Sequence, residues 1–97
     1  MKPRFILVHC DVECVQRGVV EPKYRVFVNN ELFTERSWIF DDNEYLEEML
    51  QIEAPPGKYQ IRVELVNPRA AKIIVKNYRI SKGIARISPD GMLEVPI

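Results

Sequence analysis

Histidine occurs once, cysteine twice and alanine four times in the 97 residues, and the 14 basic side chains are offset by 14 acidic ones. One imidazole is little with which to shuttle protons. No nucleophile elbow, Walker loop, HExxH run or closely spaced cysteine pairs occur, so the usual motifs of hydrolysis, phosphate binding and zinc ligation are missing and no enzyme is expected. Zero net charge argues against a general nucleic-acid binder or a polyanion-steered protein. No apolar run approaches the roughly 18 residues of a membrane span. Phe5-Ile6-Leu7-Val8 is too short for the core of a signal peptide, which points to the cytoplasm of the producing cell or a particle such as a virion assembled there. The length fits one domain, residues 1–97, that buries only roughly 60 to 65% of its unfolded surface, so partner contacts could matter for stability.

What is abundant is β-branched: Val and Ile total 21, and seven prolines punctuate the chain, a balance that favours pleated strands over helices. Ile6, Val8, Cys10, Val12 and Cys14 alternate with His9, Asp11 and Glu13, which predicts a strand with one buried face. Tyr24 to Val28 reads as a second strand, turned by Asn29-Asn30, both able to take the positive φ of a type I′ hairpin. Leu32 to Phe40 is the expected return strand, and a two- or three-residue loop decides which of Phe33 and Trp38 faces inward. Residues 41 to 54 allow two readings. Asp41 with Glu44 imitates a capping box and Tyr45, Leu46, Met49 and Leu50 recur at helical spacing, whereas Leu50, Ile52 and Ala54 alternate as a strand does. The strand is preferred, and a helical turn over 42–48 is compatible with it.

Pro55-Pro56-Gly57-Lys58 then suggests a type II turn into the alternating Tyr59, Ile61, Val63 and Leu65. Asn67-Pro68-Arg69 breaks the chain before a strand from Ala71 to Ile80, whose Ile73-Ile74-Val75 centre suggests cover on both faces. Ser88-Pro89-Asp90-Gly91 turns a final hairpin between Ile84 to Ile87 and Leu93 to Val95. About eight short strands imply an all-β fold, a single antiparallel β-sandwich with jelly-roll-like connections.

Cys10 and Cys14, near His9 and Asp11, raise a zinc reading. In a strand the two thiols lie about 13 Å apart and His9 faces the other way, so buried reduced thiols are the expectation. Asp41, Asp42 and Glu44 offer oxygen ligands for calcium, although Leu46 stands where an EF-hand loop requires glycine, and a solvated acidic loop is the plainer reading. Among Phe27, Phe33, Trp38, Phe40, Tyr45 and Tyr78, most are needed to fill the core. Trp38 and Tyr78 are kept as candidates for stacking on a glycan. Glu47 and Glu48 are adjacent and, on a strand, face opposite sides, so they cannot flank one bond unaided.

Charge order is the most informative feature. Residues 31–53 hold eight acids against Arg36 alone, and residues 54–86 hold eight bases against Glu64 alone. Pairing between oppositely charged neighbouring strands is one explanation. The other is a dipolar domain whose acidic side docks on the basic side of a second copy or a larger partner, with Lys72 and Lys76 as candidate contact residues and rings or filaments as the product.

The run from Tyr24 to Trp38, YRVFVNNELFTERSW, followed by APPGKYQIRV from Ala54 to Val63, resembles small β-sandwich proteins encoded by tailed bacteriophages. Its hairpin and P-G-x-Y-x-I-x-V strand also resemble carbohydrate-binding modules. The phage resemblance implies a non-catalytic virion or assembly component and carries over no functional residues. The expectation is therefore a structural or protein-interaction module that self-associates, with no cofactor and no nucleic-acid or membrane partner. The alternative is a carbohydrate-binding module assisted by calcium.

Overall fold

The computed structural model describes residues 4–16, 18, 21–39, 44–69 and 71–97. Strand β1 (Arg4–Gln16) is the centre of a three-stranded antiparallel sheet, flanked by β4 (Tyr45–Ala54) and β6 (Ala71–Lys82). The second sheet runs in the order β3 (Glu31–Ser37), β2 (Lys23–Val28), β5 (Gly57–Leu65), β8 (Met92–Val95), β7 (Arg86–Ile87). Together they form an all-β sandwich. The chain stays within one sheet for the hairpins β2–β3 and β7–β8 and crosses to the other sheet at every other connection. Among the described residues there is no helix, hence none long and apolar enough to cross a membrane.

The core follows from alternation. Ile6, Val8, Cys10, Val12 and Cys14 are each fully buried, and they meet Tyr24, Val26, Ile61, Leu93 and Val95 of the facing sheet. Burying an aliphatic side chain of this size contributes roughly 1.5–3 kcal/mol. From Tyr45 onward the ambiguous segment is strand, in unbroken register with β1 from Arg4↔Ala54 to Glu13↔Tyr45. Period two places Leu46, Leu50, Ile52 and Ala54 on the core side together, whereas a helix would scatter them. The possible capping residue Asp41 lies outside the described residues.

Asn29 (φ 51°) and Asn30 (φ 72°) form the expected two-residue turn. A bulge between Val26 and Phe27 then shifts the register of β3. The return strand ends at Ser37, short of the expected Phe40: the Trp38 N–H still donates to the Pro22 carbonyl at 2.7 Å, but proline has no N–H to return the bond, and the Trp38 ring enters the core.

Two other expectations need correction. Gly57 has φ 156°, nearly extended and far from the roughly +80° of a type II turn, so Pro56 makes a bend and Gly57 already belongs to β5. The centre of β6 is covered on one face only: Ile73 and Val75 are half-buried while Ile74 is 37% exposed, as an edge strand of a sandwich requires. β6 also carries two bulges, with Asn77 (φ 58°) and Ser81 as the extra residues opposite β1. Gly83 (φ 100°) ends the strand where a Cβ would lie 2.5 Å from the Phe5 carbonyl oxygen, so only glycine fits.

Candidate interaction surface

The outer face of the three-stranded sheet is built from the odd residues of β1 and β4 and from Lys72, Ile74, Lys76 and Arg79 of β6. Register aligns these into rows: Met49–His9–Arg79, then Glu47–Asp11–Lys76, then Tyr45–Glu13–Ile74. Large apolar side chains stand exposed around the margin, with Phe5 at 55%, Met49 at 56% and Tyr45 at 60%. Polar groups occupy the middle. Asp11, only 9% exposed, accepts hydrogen bonds from Asn77 Nδ2 at 2.9 Å and from both Arg79 Nη atoms at 3.3 Å. Arg79 also pairs with Glu47, and Lys76 Nζ lies 2.9 Å from Glu13 Oε1, a hydrogen bond that raises the lysine pKa. The bulge at Asn77 aims its amide at Asp11, which a regular strand would not do.

His9 Nε2 lies 2.5 Å from Ser81 Oγ, and its Nδ1 is 3.9 Å from Glu47 Oε1. These are the residue types of a nucleophile relay, but the second distance exceeds a hydrogen bond and Nδ1 is buried without a partner. Glu47 is held by Arg79 instead. The cluster's chemistry is that of a salt-bridge network across three strands.

Charge is segregated to the two edges of this sheet. β4 carries Glu47, Glu48 and Glu53 and no base, and β6 carries Lys72, Lys76, Arg79 and Lys82 and no acid. The acidic and basic strands are not neighbours, since β1 separates them. Glu47–Arg79 spans that gap, while Glu35 pairs with Arg25 at 2.7 Å and Glu48 with Arg36. With Lys76–Glu13, these pairs engage two of the three β4 acids and two of the four β6 bases, and among the described residues leave Glu53 on β4 and Lys72 and Lys82 on β6 outside any ion pair.

Inside the sandwich, Glu48 is fully buried between the sheets. Its Oε2 accepts from the Tyr24 hydroxyl and from Arg36 Nε, joining β4 to β2 and β3. Burial and the hydrogen bond to Glu48 raise the Tyr24 pKa. Burial also lifts the Cys10 thiol to about 12, with the Glu48 and Asp11 charges adding to it, and the Cys14 thiol to about 11. Both cysteines are free and buried, as alternation indicated, and neither forms a thiolate near neutral pH. Among the described residues no three His, Cys, Asp or Glu side chains are grouped to hold a metal.

The remaining candidates are scattered. Trp38 is 3% exposed, which withdraws it from any sugar-stacking platform: the shifted register of β3 turned it inward. Tyr78 is half-buried against the core and lines a shallow groove with Gln60, Arg62, Pro89 and Asp90; burial raises its pKa to about 12. Lys72 and Lys76 are exposed on β6, and Glu44 is exposed just before β4. Asp41 and Asp42, the other proposed calcium ligands, lie outside the described residues. A feature without any sequence signal is a cleft of about 270 Å³ between β3 and β4, lined by Val28, Leu32, Phe33, Ile52, Ala54 and Tyr59. Comparison with protein-family models, curated proteins and solved structures finds no match, so the phage and carbohydrate-binding resemblances gain no support from them.

Proposed function

We propose that this domain is a non-enzymatic structural or protein-interaction module that associates with itself through opposite charge. The observation that carries this reading is the placement of the acidic strand β4 and the basic strand β6 as the two edges of one sheet. A domain that is neutral overall but charged oppositely at two ends attracts its own copies head to tail, and such a contact builds rings or filaments rather than closed pairs. The exposed Phe5, Tyr45 and Met49 on the same face supply apolar area beside the charges.

Light scattering after size exclusion tests it directly. At about 50 mM salt the mass should exceed the 11.4 kDa of one chain, and at about 500 mM it should fall toward that value as screening shortens the reach of the charges. A mass of one chain at both salt concentrations would sink the proposal.

A further inference from the structure

We infer that the cleft between β3 and β4 binds an extended peptide segment of a partner protein, with apolar and basic residues in alternation, which adds as a strand to the edge of β4 at residues 50–54. This goes beyond the self-association reading and needs no second copy. The two sheets are unequal, three strands against five, and the mismatch shows at β3. None of its seven residues is buried, and Leu32 and Phe33 stand 58% and 42% exposed. Glu48 of β4 already reaches Tyr24 of β2 and Arg36 of β3, so the next strand position outward from β4 lies over β3. The cleft of about 270 Å³ sits there, with Ile52 and Ala54 on one side, Leu32 and Phe33 on the other, and Val28 and Tyr59 behind them. That volume is below the roughly 300–1,000 Å³ of pockets for small organic ligands and suits a pair of aliphatic side chains.

Backbone and charge decide which edge is used and which peptide fits. β4 has no further strand partner among the described residues, so one row of its N–H and C=O groups is open to pairing. It is regular, whereas β3 bulges: Thr34 pairs with Val26 and Leu32 with Phe27, which leaves Phe33 as the extra residue in that ladder. Strand addition supplies main-chain hydrogen bonds, and alternate side chains supply specificity. Side chains on the inner side of the added strand meet Ile52 and Ala54, which calls for apolar residues. Those on the outer side flank Glu53, and Glu31 stands at the mouth of the cleft. Both carboxylates belong to exposed residues and form no ion pair among the described residues, so lysine or arginine complements them. The eight acids and one base of residues 31–53 draw a cationic segment to this side of the sandwich. The chain's own basic strand, β6, is paired with β1, so the occupant comes from another protein.

The test is an NMR titration of the isotope-labelled full chain with the synthetic peptide KVKIK, capped at both ends, at about 150 mM salt, where charges still act over about 8 Å. The amides of residues 50–54 and of Leu32 and Phe33 should shift and saturate. Removing the apolar residues (KSKSK), reversing the charge (EVEIE) or methylating the backbone nitrogens of KVKIK should each weaken binding by about tenfold or more. Two chain variants should do the same: Glu53→Lys at the outer rim and Phe33→Asp at the mouth, each by about tenfold. Both positions are exposed, so the fold should survive, and the dispersion of the spectrum checks that it does.

Four results overturn the inference. If millimolar KVKIK gives no saturable shift, the cleft does not take this peptide. If the methylated peptide binds as well as the parent peptide, no strand is added. If Phe33→Asp leaves binding intact, the peptide sits on another acidic surface. If KVKIK lowers the mass of an associated chain in light scattering, a second copy fills the cleft and the occupant is wrong. A chain that stays single at low salt yet binds KVKIK at residues 50–54 loses the self-association reading and keeps this one.

Discussion

Glu48, on the inner face of β4, is fully buried and bound by Tyr24 and Arg36, whereas its chain neighbour Glu47, on the outer face, keeps 44% of its side chain exposed beside Arg79. One strand thus holds the same side chain in two dielectric settings. Inside, the carboxylate has lost its water and depends on its hydroxyl and guanidinium donors. Outside, water can replace any partner that is removed. The charge of the acidic segment is therefore not of one kind: Glu48 fastens the two sheets to each other, while Glu47 is available to the surface.

Removing the inner carboxylate is the strongest way to test that division. Glu48→Leu fills the space but leaves the Tyr24 hydroxyl without its acceptor and Arg36 without its counter-charge, and should cost about 3 kcal/mol of unfolding free energy, read from urea denaturation. Glu48→Gln retains an acceptor for Tyr24 and should cost less, about 1–2 kcal/mol. A loss under about 0.5 kcal/mol for Glu48→Leu would mean that the sheets are held by apolar packing alone.

High pH probes the same interior through the thiols. Cys10 and Cys14 have folded-state pKa values raised to about 12 and about 11 from an ordinary 9.0. Groups raised in this way stabilise the fold fully below pH 9, and that contribution drains away as pH climbs through 11 and 12, because the unfolded chain ionises first. The expected loss is on the order of 2 kcal/mol for each thiol by pH 11, with Tyr24 adding to it above pH 10. In a Cys10→Ala/Cys14→Ala double variant the fall between pH 9 and 11 should shrink. An unchanged slope would place the sensitivity elsewhere.

How much of this could be read from the chain alone depends on whether the deciding partner is local. The alternation in β1, the Asn29-Asn30 turn and the Ser88 to Gly91 turn depend on residues adjacent in sequence, and all three were legible. Glu48 was not, because its donors lie 12 and 24 residues away and a glutamate in an apolar stripe gives no hint of them. Trp38 was misplaced for a similar reason: a one-residue bulge at Val26/Phe27 resets the face of everything after it, and nothing local announces that bulge. The charge segregation was visible as two blocks. That β1 would come between them, making them opposite edges of one sheet, required the topology. Asn77, a residue tolerant of positive φ inside a β-branched run, was the available sign that β6 bends there.

On the outer face of β4, replacing Glu47 should change stability least. In Glu47→Gln, Arg79 keeps Asp11 at 3.3 Å and the carbonyl of Asn77 at 2.8 Å, so the guanidinium still has acceptors when the carboxylate is gone. His9 loses a charge 3.9 Å away rather than a hydrogen bond. An exposed pair replaced in this way is worth about 0.2–1 kcal/mol, and the unfolding midpoint in urea should shift by no more than that corresponds to. Association should respond more than stability, since the variant removes one acidic group from the β4 edge without touching the core. A stability loss approaching that of Glu48→Leu would mean that the three-strand network, and not the inner pair, holds the sheet in register. A shift of a few tenths of a kcal/mol with weakened association at low salt would assign Glu47 to the surface and Glu48 to the fold.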